Sequence, residues 1–152
     1  MGIPGRGCPG SLARVIERKE TLHDDGVKAK SELRQWPVQL HLVPPAAPYF
    51  RNAYILICAD CVAFAMGSMH QELLKGKALA IACPKLDDTA TYVEKLARIF
   101  AENDIRSITV AIMEVPCCRG LEMIAREALA KSGREIPFES VMVGIDGEQR
   151  IR

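Results

Sequence analysis

The fold is decided by one stretch, SITVAIMEVPCCRGLEMI (residues 107–124), in which an apolar run turns at a proline into a helical pattern. The run has no regular alternation of polar and apolar residues, which is typical of a strand covered on both faces in a parallel sheet. Apolar residues then recur at Leu121 and Ile124, a spacing that puts both on one face of a helix. We therefore predict a buried strand followed closely by a helix, with Cys117 and Cys118 at the turn between them.

Four more apolar runs have a similar texture. They are residues 37–43, 53–58, 78–83 and 140–145. Helical patterns separate the later runs: an apolar stripe extends from Val93 to Phe100, and Ser68 with Gln71 forms a capping box for another helix. Alternating strands and helices predict an α/β domain with a mainly parallel sheet of about five strands and helices on both faces.

Composition limits the class of protein. The chain has 152 residues, of which 49% are hydrophobic and 26% charged, as expected for one globular domain. We expect an irregular, charged segment and linker over residues 1–34 and a cysteine-rich α/β domain over residues 35–152. The net charge of +1 gives no reason to expect nucleic acid or an anionic membrane as a partner. Without a membrane-spanning run or a signal-peptide pattern, a cytoplasmic protein is expected.

Five of the six cysteines follow or end predicted strands. Cys58 and Cys61 stand in CADC after the second run, Cys83 in ACPK after the third, and Cys117 and Cys118 in VPCC after the fourth. The carboxyl ends of parallel strands lie along one edge of a sheet, where open α/β folds bind ligands. A reducing cytoplasm disfavours structural disulfides. The cysteines are therefore expected to gather in one crevice as free thiols.

As ligands, thiolates select zinc, copper(I) or iron–sulfur clusters. Because the sulfurs come from three separate loops around a crevice, an iron–sulfur cluster is favoured over zinc, which usually takes ligand pairs from small knuckles. We predict Cys58, Cys61, Cys83 and Cys117 as ligands, with Cys118 an alternative or auxiliary one. The position of Cys117 and Cys118 before a helix predicts lowered thiol pKa values, which suits coordination. The function expected is electron transfer or redox sensing.

Two other functions stay open. A thiol–disulfide oxidoreductase would cycle the Cys58/Cys61 pair, although no clear helix start is visible before Ser68, where such a pair would normally open a helix. A structural zinc site would only hold the three loops together. His70 is an alternative ligand whose more common role is a hydrogen-bonded surface histidine, and Cys8 is either a further ligand or a free thiol.

Other side chains near the cysteines have ordinary structural interpretations. Asp60 is expected to shape its loop, and Asp87 and Asp88 to cap a helix. The chain has no G-x-x-x-x-G-K-[ST], no G-x-G-x-x-G after a strand and no H-E-x-x-H. No catalytic residue is predicted, and whether the protein is an enzyme stays open.

Three segments carry a resemblance to a known family. They are ELRQWPVQLHLVPPAAPYFRNA, CADCVAFAMGSMHQELLKGKALAIACPKLDD and VAIMEVPCCRGLEMI. Together they resemble the C-terminal region of ferredoxin-like iron–sulfur proteins of anaerobic bacteria and archaea, over roughly residues 31–148. The cysteine runs of the two-cluster ferredoxin module of that family are absent from this sequence. The resemblance implies an iron–sulfur association and a redox protein or ferredoxin module as partner.

Overall fold

The structure is a computed structural model that describes residues 16–17 and 28–150. Cys8 and most of the predicted N-terminal segment lie outside the described residues. The division into residues 1–34 and 35–152 therefore stays a prediction. Within residues 28–150, none of the helices has the length and apolar character needed to cross a membrane.

Five strands form one sheet in the order β2-β1-β3-β4-β5. Their bounds are β1 Tyr54–Ala59, β2 Lys77–Ala82, β3 Ser107–Met113, β4 Phe138–Val143 and β5 Gln149–Arg150. The first four pair in parallel, and β5 is antiparallel to β4. The predicted mainly parallel sheet is confirmed, and so are the runs at residues 53–58, 78–83, 107–115 and 140–145, to within a few residues at their ends.

The predicted strand at residues 37–43 is wrong. Only Gln39 pairs with the sheet, through an isolated parallel bridge to Ile81 at the edge of β2. Its carbonyl then accepts hydrogen bonds from the N–H groups of Leu42 and Val43 at 2.8 and 3.0 Å, which turns the chain away. The segment is apolar because Leu40 and Val43 cover the core as part of this turn. Burial alone therefore gave a strand-like signal.

Two long helices follow the predicted stripes. Helix α2 is Tyr92–Glu102 and helix α3 is Arg119–Ser132, and α3 ends at Gly133 with a φ of 70°. Helix α1 is only Val62–Ala65. Instead of the capped helix predicted from Ser68, the chain forms a single π-helical turn, His70–Leu74, and the Ser68 hydroxyl bonds to Glu72 rather than Gln71.

Helices on both faces of the sheet follow from its topology. Because β2 and β3 lie on opposite sides of β1 and parallel crossovers are right-handed, the connection through α1 covers one face. Helices α2 and α3 pack together on the other face. Every residue of β3 after Ser107 is buried, as a strand covered on both sides requires.

Candidate functional site

The sheet order creates a switch point between β1 and β3. From β1 the chain continues to β2 on one side of it. Strand β3 lies on the other side of β1, and the chain continues from β3 to β4, farther from β1. Loops at the carboxyl ends of two such strands diverge and leave the crevice in which open α/β sheets bind ligands. Cys61 follows β1 and Cys117 follows β3. Thiols therefore stand on both sides of this crevice.

The loop after β2 lies close to the loop after β1 and to the start of α3. The N–H of Asp60 donates to the carbonyl of Ala82 at 3.2 Å, which extends the β1–β2 pairing to the residue before Cys83. At the start of α3, a Cβ on Gly120 would lie 3.3 Å from the Cβ of Pro84. Glycine thus allows the helix that follows the paired cysteines to approach the Cys83 loop closely.

Three of the thiols form a solvent-accessible group. Cys61 is exposed, and Cys83 and Cys117 are half-buried. The pKa of Cys61 is raised by partial desolvation and then by the negative charges of Cys83, Asp60 and Cys117. Such charges act strongly only over short distances. Cys61 therefore lies near thiols of the other two loops.

The other two thiols are buried. Cys58 is 1% exposed and Cys118 is 7% exposed. Burial raises the pKa of Cys58 to about 12, with further contributions from Asp60 and Cys118. Burial raises the pKa of Cys118 to about 11, opposed by a backbone hydrogen bond at Met113 and reinforced by Cys117 and, more weakly, Cys61. Cys118 thus connects the buried pair to the accessible group.

Two sequence-based expectations about these cysteines were wrong. Helix α1 begins at Val62, directly after Cys61, whose carbonyl accepts hydrogen bonds from Phe64 and Ala65 at 3.2 and 3.1 Å. A four-residue helix is too short to show an apolar period, so the pattern gave no sign of it. The expected lowering of pKa at the start of α3 also fails for Cys118, because burial of its thiol outweighs the effect of the helix.

Carboxylates surround the accessible thiols. One oxygen of Asp87 accepts hydrogen bonds from the Cys83 N–H at 3.0 Å and from the Tyr92 hydroxyl at 2.6 Å. Asp87 therefore holds the Cys83 loop instead of capping a helix, which corrects its predicted role. Asp88 accepts from the N–H of Ala90 at 3.1 Å in the turn before α2. The pKa of Tyr92 is raised by burial and by its bond to Asp87.

Asp60, in the CADC loop, has a carboxylate oxygen that lacks a hydrogen-bond partner among the described residues. This oxygen, Oδ1, is buried. The pKa of this carboxyl is raised, first by burial and then by the nearby Asp87 charge. An ionised oxygen in such a place is costly unless a donor or a cation satisfies it. The site therefore favours a positively charged occupant.

Replacing Asp60 with asparagine should stabilise the metal-free protein at pH 7. The pKa of Asp60 is higher in the folded than in the unfolded chain, so its contribution to stability is present at low pH and lost as pH rises through the folded value. Removing the charge should raise the free energy of unfolding by about 1 kcal/mol and Tm by about 2–4 °C. Thermal unfolding of Asp60→Asn beside wild type measures this.

Asp88→Asn is the matched control, since asparagine can still accept the hydrogen bond from Ala90. We expect its Tm to stay within about 1 °C of wild type, as for most surface substitutions. A lower Tm for Asp60→Asn at pH 7 would mean that the carboxylate has a stabilising partner, and would contradict the prediction.

His70 has a structural partner. Its Nδ1 accepts a hydrogen bond from the backbone N–H of Glu32 at 3.0 Å, which ties the segment before the domain to the π-helical turn. Within the described part of the chain, no three His, Cys, Asp or Glu side chains are arranged around a point that could hold a single metal ion.

The fold and its switch-point crevice define an α/β protein of the doubly wound kind. The chain belongs to the Rossmann-like domain family, whose model matches residues 47–151. It is also 34% identical over 116 residues to an uncharacterized protein of Archaeoglobus fulgidus, a similarity that covers 76% of this chain and 81% of the relative. No solved structure matches the chain.

Sequence reasoning missed two residues that shape the site. Tyr92 lies in the apolar stripe of α2 and carries no sign that its hydroxyl bonds to Asp87. Gly120 did carry a signal, because glycine in the first turn of a helix costs stability unless a close approach requires it. Its contact with Pro84 is such an approach.

Proposed function

We propose that this domain binds an iron–sulfur cluster through thiolates at the switch point and serves electron transfer or redox sensing. One observation carries the proposal: Cys61 lies among thiols from the loops after β2 and β3. In many Rossmann-type domains the turn after the first strand is glycine-rich and cradles a phosphate. Here that turn is CADC, so its chemistry is that of soft metal ligands.

The arrangement of the thiols suits a cluster better than a single zinc ion. In a [4Fe–4S] cluster each thiolate binds a different iron atom, so the ligands stand farther apart than around one metal ion. Thiols that come from three separate loops are consistent with this spacing. The buried, unpartnered oxygen of Asp60 and the raised pKa of Cys61 both call for positive charge at the same place.

Three of the proposed ligands are accessible thiols, and the fourth has two candidates. Cys61, Cys83 and Cys117 supply three thiolates, and the fourth comes from Cys58, as the sequence predicts, or from Cys118. Cys118 is favoured by its electrostatic contact with both Cys61 and Cys117. Loading must displace a proton from each thiol, so it should be faster at mildly alkaline pH.

A redox role needs a partner that approaches the cluster. Three large apolar side chains are exposed beside the cysteine loops: Phe64 is 92%, Leu86 84% and Met123 69% exposed. Phe64 follows Cys61 by three residues, Leu86 follows Cys83 by three, and Met123 is in the second turn of α3. Exposed apolar groups around a site are typical of protein docking surfaces. The partner we propose is a cytoplasmic ferredoxin or a ferredoxin module, which would exchange single electrons with the cluster.

Thiol–disulfide exchange is the second candidate. The helix that begins directly after Cys61 favours it, since reactive C-x-x-C pairs open helices. The Cys58/Cys61 pair itself is a poor one, because the Cys58 thiol is buried and its pKa is raised to about 12. If the protein is an oxidoreductase, Cys61 would pair with Cys83 or Cys117.

Metal and acid-labile sulfide analysis of protein purified without oxygen tests the proposal. We expect iron with an equal amount of sulfide and a brown colour with visible absorbance that bleaches on reduction. Zinc alone, with no redox activity, would support the scaffold function. A colourless protein that stays free of iron after reconstitution, and takes up two electrons reversibly, would overturn the cluster in favour of dithiol chemistry.

A further inference from the structure

A second concave site lies at the opposite end of the sheet. It is a cleft of about 230 Å³ beside the amino ends of β1 and β2. Its walls are Arg34, Gln35, Tyr49, Arg51, Ala53, Gly76, Lys77 and Ala78. From Tyr54 to Cys58, strand β1 covers about 13 Å, so the cleft is well separated from the thiols. None of the chemistry proposed for the cysteines involves it.

Three cations line this cleft. Arg34 and Arg51 are exposed, and within residues 28–150 neither guanidinium group forms an ion pair with a carboxylate. Lys77 is half-buried, and its Nζ donates to the carbonyl of Leu73 at 2.9 Å, which fixes the ammonium group at the cleft wall. Three positive charges that form no ion pair with carboxylates of residues 28–150 create a local field that attracts anions.

The wall that carries Arg34 is rigid. The side chain of the next residue, Gln35, acts as a short piece of sheet: its Oε1 accepts from the N–H of Leu79 at 2.7 Å, and its Nε2 donates to the carbonyl of Leu79 at 2.8 Å. The same Nε2 also donates to the carbonyl of Pro37 at 3.1 Å. The segment is thereby attached to the edge of β2, and the cleft is preformed.

The same wall contains a buried donor that has no partner in the part of the chain that the structure describes. This donor is the hydroxyl of Tyr49. Its ring packs edge-to-face on Phe50, with the ring centroids 4.7 Å apart, which fixes the side chain. Burial raises the pKa of this hydroxyl, so it keeps its proton and can donate. A buried hydroxyl left unpaired is uncommon and calls for an explanation.

We propose that this cleft binds a phosphoryl group, either inorganic phosphate or a small phosphate monoester. Guanidinium groups match the geometry of phosphate oxygens through paired hydrogen bonds, and a lysine adds a third charge for a dianion. Tyr49 supplies a neutral donor. The cleft volume of about 230 Å³ is below the roughly 300–1,000 Å³ of sites for drug-sized ligands, which favours a small occupant such as a phosphoryl group.

Calorimetric titration of the full chain with inorganic phosphate and with glycerol phosphate, at low ionic strength, tests the site. We expect one saturable site for at least one of the two probes. Arg51→Gln should weaken it by about tenfold or more, since it removes a charge-assisted pair of hydrogen bonds. The control Arg98→Gln removes the same charge from the exposed face of α2, where Arg98 pairs with Glu102, and should bind like wild type.

The two probes separate the sources of the phosphoryl group. Saturable binding of inorganic phosphate identifies an ion site, and binding of the ester alone identifies a site that also contacts the organic part. Absence of saturable binding for both probes, or equal weakening by Arg51→Gln and Arg98→Gln, would overturn the proposal. Neither result depends on whether the protein contains a cluster.

Tyr49→Phe gives an independent test, because the substitution should raise the stability of the ligand-free protein and at the same time weaken its binding of phosphate. Without ligand, removing an unpaired buried hydroxyl should raise Tm by about 2–4 °C. Binding of the phosphate probe should nevertheless weaken by several fold, since a donor is lost. A Tm that falls in Tyr49→Phe would show that the hydroxyl already has a partner within the protein, and unchanged affinity would exclude it from the site.

Discussion

Iron should be absent from anaerobically reconstituted protein when Cys61 or Cys117 is replaced by serine. Cys61 lies near the other accessible thiols, and Cys117 follows the strand on the other side of the switch point. Loss of a thiolate that binds its own iron atom leaves a cluster open to solvent and to loss of iron. We expect less than about a tenth of the wild-type iron in either variant, measured together with sulfide and visible absorbance.

The buried thiols provide the matched comparison. Five thiols surround the site and a cubane cluster takes four protein ligands, so one of Cys58→Ala and Cys118→Ala should retain iron. Alanine is chosen because both side chains are enclosed and serine would bury a hydroxyl. Circular dichroism of each variant checks that the fold is kept. Retention of iron by Cys58→Ala and its loss from Cys118→Ala would assign Cys118 as the fourth ligand.

Full iron in both Cys61→Ser and Cys117→Ser would place the metal elsewhere. Loss of iron from all four variants, together with loss of circular dichroism, would mean that the cysteines serve folding and would say nothing against the site itself. In that case, disulfide formation between Cys61 and Cys83 or Cys117 under mild oxidation would be the next measurement, because it reports which thiols can meet.

The sheet could be predicted from sequence because burial on both faces leaves a strong signal. Strands β1 and β3 are continuous apolar runs since every second residue meets a different layer of helices. The edge at which the cysteines lie could also be predicted. In a parallel sheet, residues that directly follow different strands all lie at the same edge, the one formed by the carboxyl ends of the strands. That inference needed no knowledge of side-chain contacts.

The burial and the side-chain contacts of the individual site residues could not be predicted in the same way. Cys58 and Cys61 stand in one motif, yet one is enclosed and the other exposed, because Cys58 still belongs to the strand and Cys61 has left it. A C-x-x-C pattern does not show where the strand ends. The bond from Tyr92 to Asp87 depends on how α2 packs, which is set by tertiary contacts rather than by spacing.

The amino-end cleft shows a further limit of sequence reasoning. Arg34, Arg51 and Lys77 are far apart in the chain and belong to no motif. They come together because the irregular segment before β1 runs along the edge of β2, held there by Gln35. Residues 37–43 were predicted as a strand, and that error hid the way in which this segment builds one wall of the cleft.

Alkaline pH should destabilise the metal-free protein, and Cys58 should account for much of the effect. The pKa of its thiol is about 12 in the fold, against about 8.5–9 for an unfolded chain. Between these values the unfolded chain has lost a proton that the folded chain keeps, so the free energy of unfolding falls as pH rises. By pH 10.5 the loss from Cys58 alone should be about 2 kcal/mol, with Cys118 acting in the same direction.

Urea unfolding under reducing conditions at pH 7.5, 9 and 10.5 measures this dependence. Because other groups also titrate in this range, the comparison is between wild type and Cys58→Ala. Truncation of the side chain lowers stability at every pH by a similar amount, whereas removal of the thiol makes the decline with pH shallower. Cys61→Ala is the control, and its slope should stay closer to that of wild type because Cys61 is exposed.

Parallel declines in wild type and Cys58→Ala would mean that Cys58 is not held protonated in the fold, and would contradict its enclosed position. A shallower decline has a consequence for the ligand set. A thiol that keeps its proton through this range must give up that free energy before it can bind iron. The same titration therefore bears on whether Cys58 is the fourth ligand.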